Sequence, residues 1–276
     1  MEETSTSIIT NPGGTPRLEH RLHWSNSSNV LCNYMREPSY LDLVLRNRAI
    51  IPRYVIEKVE YLDIKDFGQI CFPMTCFCDI PFSKSASHMT RYGRYGIGLD
   101  KDSVLHRYRI QPIHYMSLKS PLIDDFKEAF QPFYMTEKEL SGDARLLLNY
   151  LVSTLMYMKP IWGNEIKDDG TEEQYVYQDE CEWRYIPSDH FPKELHLILP
   201  PPEATEIGKQ KYSEALAKHS ECWLRFEWQD VKYIIVPNDC ANRDTIQTIL
   251  SLGLSTDEKL MLISKIEVSN RFSDDM

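Results

Sequence analysis

Three stretches of this sequence carry residue types that can act together on a ligand. Residues 76–101, CFCDIPFSKSASHMTRYGRYGIGLDK, gather cysteines, carboxylates, a histidine, arginines, tyrosines and glycines. His23–Ser25 reads H-W-S, and Glu180–Arg184 reads E-C-E-W-R. On an extended strand Glu180 and Glu182 project to one face with Arg184 beside them. A histidine, tyrosines Tyr92 and Tyr95, and a glutamate from three separate strands would suit cleavage of the nicotinamide–ribose bond of NAD. That reaction develops oxocarbenium charge on the sugar, which a fixed carboxylate stabilises. Histidine can hydrogen-bond the ribose hydroxyls, and an aromatic ring can stack on nicotinamide. Glu182 is the preferred catalytic carboxylate, with His23 and Glu180 beside it. The plain alternative is a surface histidine at His23 and a solvated ion pair at Glu182–Arg184.

The same stretches admit other chemistry. Cys71, Cys76, Cys78 and His88 are zinc-ligand types, but structural zinc sites favour C-x-x-C knuckles. C-x-C on a strand puts Cys76 and Cys78 on one face, as buried small residues also would, so no metal is expected. Arg91, Arg94, Lys101, Arg107 and Arg109 alternate with Tyr92, Tyr95 and Tyr108, in the manner of a phosphate-and-base surface. Asp100 and Asp102 dilute that charge, which leaves room for a patch docking a phosphorylated ligand rather than a nucleic-acid groove. Gly93, Gly96 and Gly98 lack the order of a phosphate-binding loop and suit a close backbone approach or a bulge. His88 is either a site residue or a hydrogen-bonding anchor for its loop.

The elements that would position these groups are mixed. The chain has 276 residues, 42% hydrophobic, with a net charge of −10. That length supports a sizeable core, and the charge argues against a general nucleic-acid binder. No apolar run is long enough for a membrane span, and residues 1–18 read as a polar lead-in without a secretory signal. With seven cysteines and no export signal, reduced cytosolic thiols are expected. Strands are expected in HRLHWS, CFCDIP, YGIGLDK, QPIHYMSL, YVYQDECEWRYIP, LHLILPPP, CWLRFEW and VKYIIVP. SNSSNVL is expected to cap a turn or helix, and EIKDDGTEEQ to be a mobile loop. A helix capped by Ser39 should end before Pro52. Thr136 and Glu139 form a capping box, and the apolar residues that follow at spacings of three and four predict one long helix to Met158, stopped by Lys159-Pro160. Ala204–His219 should be helical, Asn242 should cap another helix, and Ser255 with Glu258 makes a second capping box. The sum is α+β, one domain over residues 19–268 with a sheet core, a long helical insertion and a tail at 269–276.

Residues 76–101 also resemble the signature of the AbiGi family of bacterial abortive-infection proteins. The matches run from Cys76 to Pro81, then Ser83, His88, Tyr92-Gly93, Tyr95 to Leu99, and Lys101. His23, Pro52-Arg53-Tyr54, Lys159-Pro160, Glu180 and Glu182–Arg184 extend the likeness over about residues 20–240, although Trp24 and Ser25 replace the usual aromatic and threonine. The resemblance implies a bacterial cytoplasmic protein of phage defence, described as the antitoxin-like member paired with a nucleotidyltransferase-like toxin. The opening is also similar to that of DNA-targeting ADP-ribosyltransferase toxins, which implies an ADP-ribosyltransferase-like core with an NAD site. His23, Ser25, His88, Arg91, Tyr92, Tyr95 and Arg184 would then contact NAD beside Glu180 and Glu182. The modified target would be a nucleic acid, protein or nucleotide. The alternative is a non-catalytic antitoxin or sensor that keeps the fold and restrains a toxin partner.

Overall fold

A long strand that exchanges partners midway organises this molecule. The structure is a computed structural model describing residues 27–134, 140–166, 170–189 and 191–273. Eight strands form its main sheet: β1 (Val30–Met35), β2 (Arg53–Lys58), β3 (Gln69–Cys78), β4 (Tyr95–Asp100), β5 (Ile110–Pro112), β6 (Glu182–Tyr185), β7 (Val231–Val236) and β8 (Ile266–Val268). Their order is β8-β7-β4-β1-β3-β6-β5, with β2 also on β3. β7 and β8 run parallel and the other pairs antiparallel, so the α+β reading holds with a mixed sheet.

β2 covers Gln69–Met74 of β3, whereas β1 meets that strand at Cys78. Both lie on one edge of β3. Backbone groups of successive strand residues face opposite edges. The Cys71 carbonyl accepts from Leu199 N and Asp79 N donates to Cys181 O on the β6 side. The Cys76 carbonyl instead accepts from the Asn33 side chain at 2.8 Å. Pro73, which has no N–H, therefore faces away from β2 and breaks no ladder bond to it. Between β1 and β2 the sheet splits, and a cleft opens there.

Helices cover both faces. α1 (Pro38–Asn47) starts with Pro38 at its first turn and Glu37 as cap, not Ser39. α2 (Ala86–Tyr92) ends at Gly93, whose φ of 121° carries the chain into β4; a Cβ there would lie 2.0 Å from the Met35 carbonyl oxygen. α3 (Lys101–Arg107) follows β4. α4 (Pro121–Tyr134) and α5 (Gly142–Met156) bury Phe126, Phe130, Leu151 and Leu155 against Phe72 and Met74 of β3. The opposite face carries Leu31, Phe77, Ile97 and Ile234, packed under α1, α7 (Asp239–Ser251) and α8 (Thr256–Ile263). α6 (Glu206–Leu216) lies along β2, where Ser213 Oγ accepts from Tyr54 N.

Several expectations need correction. The long helix begins at Gly142, and Met158 belongs to a short strand, Met158–Pro160, paired in parallel with His114–Met116. The apolar spacing marked the buried face but not the turn that ends it. Thr136 and Glu139 lie outside the described residues, as does HRLHWS. Of SNSSNVL the described residues 27–31 lead into β1, and QPIHYMSL divides at Ile113 into two strands. The described part of EIKDDGTEEQ, residues 165–166 and 170–174, contributes to an antiparallel pair of Trp162–Ile166 with Glu172–Val176. YVYQDECEWRYIP is broken by a 3₁₀ turn, Tyr177–Glu180, and by Cys181 at φ 44°. LHLILPPP forms no strand, and CWLRFEW keeps two strand residues, Leu224–Arg225. Asn238 caps α7 in place of Asn242. The Ser255–Glu258 capping box is present as read.

Candidate functional site

The cleft has a volume of about 840 Å³. Cys76 and Cys78 of β3 and Glu182 of β6 lie on its floor. Glu182 pairs with Cys78 and Arg184 with Cys76 across the ladder, so the glutamate and arginine share one face of the sheet. Glu180 reaches the same place from the 3₁₀ turn, redirected by the left-handed backbone at Cys181.

These side chains form an alternating line of charge. Arg184 donates through Nη2 to Glu57 Oε2 at 2.9 Å and through Nε to Glu182 Oε1 at 2.7 Å. Its Nη1 donates to the Met156 carbonyl at 2.7 Å. Lys159 Nζ bridges Glu182 Oε2 at 2.9 Å and Glu180 Oε2 at 3.0 Å. The Tyr92 hydroxyl donates to the other oxygen of Glu180, and Tyr115 O–H accepts from Glu182 N at 2.8 Å. The line from Glu57 to Glu180 holds three carboxylates against two cations, a formal excess of one negative charge.

Burial and charge oppose each other here, and charge wins. Burial pushes the Glu182 carboxyl up, but Arg184 and then Lys159 outweigh it and hold it well below the usual carboxylate range. Burial would discharge Lys159 and Arg184, yet Glu182 and Glu57 keep both firmly protonated. Tyr92 is pushed up by burial and by Glu180, so its hydroxyl stays a donor. His88, half-buried against Tyr34 and Tyr92 with ring centroids 5.3 and 4.5 Å away, is lowered to about 4 by desolvation and is neutral at physiological pH. Tyr177 adds another ring, with Lys159 Nζ 5.3 Å from its centroid.

Of the residues expected at the site, Glu182, Glu180, Arg184, Tyr92 and His88 come together. Arg91 stands behind the wall: it pairs with Glu165 of the hairpin and lies 3.7 Å from the Tyr175 ring centroid. Tyr95 does not belong. It borders a second cleft of about 390 Å³ with Asn238, Cys240 and Asp244, because Tyr92 ends a helix and the Gly93 turn separates the two tyrosines. His23 and Ser25 lie outside the described residues. Sequence reasoning missed Lys159, Glu57 and Tyr115. Lys159 was read as a helix stop; the single available signal was its place in the Lys-Pro of the family likeness.

The groups weighed for other chemistry lie apart in space. Cys71 sits with Tyr54, Leu199 and Leu216, apart from Cys76 and Cys78. All seven cysteines are free thiols, and burial pushes Cys32 up to about 12. Among the described residues no group of three or more His, Cys, Asp or Glu is placed to hold a metal ion. The basic residues scatter. Arg107 pairs with Asp230, Arg109 with Asp189 and Arg94 with Asn270, while Lys101 is buried on Asp79 at 2.6 Å. Among the described residues no helix is long and apolar enough to cross a membrane.

Comparison with known proteins follows the same residues. No solved structure matches the chain. A protein of Lactococcus lactis subsp. cremoris described as "Abortive phage resistance protein AbiGi" is 30% identical over 249 residues, covering 82% of this chain and 99% of that protein. The family model described as "Putative abortive phage resistance protein AbiGi, antitoxin" matches residues 48–237, which include every charged residue of the cleft line. The chain therefore belongs to the AbiGi family.

Proposed function

We propose that this chain is a bacterial anti-phage protein of the abortive-infection kind, whose cleft is an ADP-ribosyltransferase-like site for NAD. The observation that carries the reading is Glu182, an anionic carboxylate fixed at the floor of an open cleft walled by Tyr92, His88 and Tyr177. The volume of about 840 Å³ suits a dinucleotide portion. Aromatic faces would take the nicotinamide ring, the carboxylates would face the ribose, and exposed Lys58 at the cleft would meet phosphate. Bound NAD would supply a labile ribosyl bond. Glu182 would stabilise positive charge on the sugar, and the rings would exclude water from it. The protein would act in the cytoplasm on a nucleotide, nucleic-acid or protein target.

One observation favours a second reading. Both Glu182 oxygens already accept bonds from Arg184 and Lys159, which weakens the field available to a sugar cation. An antitoxin-like subunit restraining a toxin partner needs no free carboxylate, and the family description contains that word. Calorimetric titration with NAD decides between them, alongside NAD consumption and phage plating for wild type and Glu182→Gln. The first reading expects saturable NAD binding, and a roughly 10²–10³-fold loss of consumption and of protection in the variant. No heat of NAD binding to wild type, or full protection by a folded Glu182→Gln, sinks it and leaves the binding protein. The melt must accompany both, since Gln removes the charge that balances Arg184 and Lys159.

A further inference from the structure

Lys159 is the cation between two buried carboxylates. Its Nζ lies 2.9 Å from Glu182 and 3.0 Å from Glu180, and both glutamates are less than a tenth exposed. We infer that Lys159 is a positioning residue that keeps the Glu180/Glu182 pair doubly anionic and turned into the cleft. That it serves a ligand site rests on the proposed reading; its effect on the two carboxylates does not.

The surroundings leave this task to Lys159. Arg184, from the same strand as Glu182, spends its fork on Glu182, Glu57 and the Met156 carbonyl. From α2, Tyr92 donates a neutral hydroxyl to Glu180, Arg91 is engaged by Glu165, and His88 is neutral. From the strand His114–Met116, Tyr115 contributes a neutral hydroxyl at Glu182 N. Cys76 on β3 is a protonated thiol, Tyr61 a protonated phenol, and Tyr177 offers a ring. Glu57 adds further negative charge. Without Lys159, Arg184 alone faces three carboxylates and makes its bonds to Glu182 and Glu57, so the Glu180/Glu182 pair takes up one proton.

Thermal melts of the free protein between pH 5.5 and 8.5 test this without any ligand. In Lys159→Met the pair binds one proton in the native state with a raised apparent pKa. The stability from that proton is fully present only below the ordinary glutamate value of about 4.3, and it is lost progressively as pH rises from there through the raised value. The expected result is a Tm that falls by roughly 5 °C or more across the range relative to wild type. Lys159→Arg, which keeps the charge, should follow the wild-type profile. A constant offset at every pH would mean that Lys159 only packs, and would overturn the inference. Should Lys159→Met not fold, the double variant Lys159→Met/Glu180→Gln decides. Recovery of a cooperative melt with a flat profile supports the inference, and failure to recover overturns it. Because no NAD is present, these outcomes stand apart from success or failure of the NAD reading.

Discussion

Two buried ion clusters lie on opposite faces of one sheet. On the cleft face, Glu57, Arg184, Glu182, Lys159 and Glu180 form a line with more carboxylates than cations. On the other face, Asp79 and Lys101 match one carboxylate with one cation at 2.6 Å. Asp79 also accepts from Ser28 N at 3.0 Å and from the Trp183 indole at 3.2 Å, and Lys101 lies 4.7 Å from the Trp183 ring centroid. The second cluster ties β3, β4, β6 and the approach to β1 together. Because Asp79 N bonds Cys181 O and its carboxylate bonds Trp183, it also brackets Glu182 on both sides. A balanced pair closed by local donors does structural work. The unbalanced line opens into the cleft, where the proposed reading places a ligand.

The comparison breaks most readily at Arg184. Arg184→Met strands Glu57 and leaves Lys159 as the cation on both Glu182 and Glu180, so a loss of about 3–5 kcal/mol is expected, read as a melting point lower by roughly 10 °C or as no folded protein. A melt within a few degrees of wild type would show that the line is not a buried network. Lys101→Met should cost about 3 kcal/mol by the same logic, and Asp79→Asn in the same chain should return much of it. Glu182→Gln should fail to rescue Arg184→Met in this way, since Glu57 stays unmatched. Equal rescue in both clusters would erase the distinction between them.

His88 sharpens the contrast through pH. Its folded-state value is lowered to about 4 from an ordinary 6.5, so the native state prefers the neutral ring. The corresponding stability is present above about pH 6.5 and is lost as pH falls from there toward 4. Denaturant melts at pH 7 and 4.5 should show wild type losing more than His88→Phe, by up to about 2 kcal/mol once partial exposure is discounted. Equal losses would place His88 outside the buried wall. The smallest effects separate the two tyrosines. Tyr92→Phe should cost about 1 kcal/mol for its bond to Glu180. Tyr95→Phe, on the other cleft, should stay within about 0.5 kcal/mol and leave NAD titrations unchanged.

Much of the fold was legible where local chemistry dominates. The Ser255–Glu258 capping box, α1, β4, β7 and the shared face of Cys76 and Cys78 depend on neighbours within a few residues, and they are present. The sequence by itself also determined the family, because the residues of β3, α2 and β4 carry its signature contiguously. Within the site, Glu182 and Arg184 were readable as a same-face pair from period two alone. Only the tertiary structure decided which groups join them. Lys159 follows α5 and Glu57 lies on β2, more than twenty residues from Glu182 in sequence, and no local pattern reports that a split in β3's edge brings them together. Tyr95 was misplaced for the converse reason: Gly93's positive φ turns the chain between Tyr92 and Tyr95, so three residues in sequence become two different clefts in space.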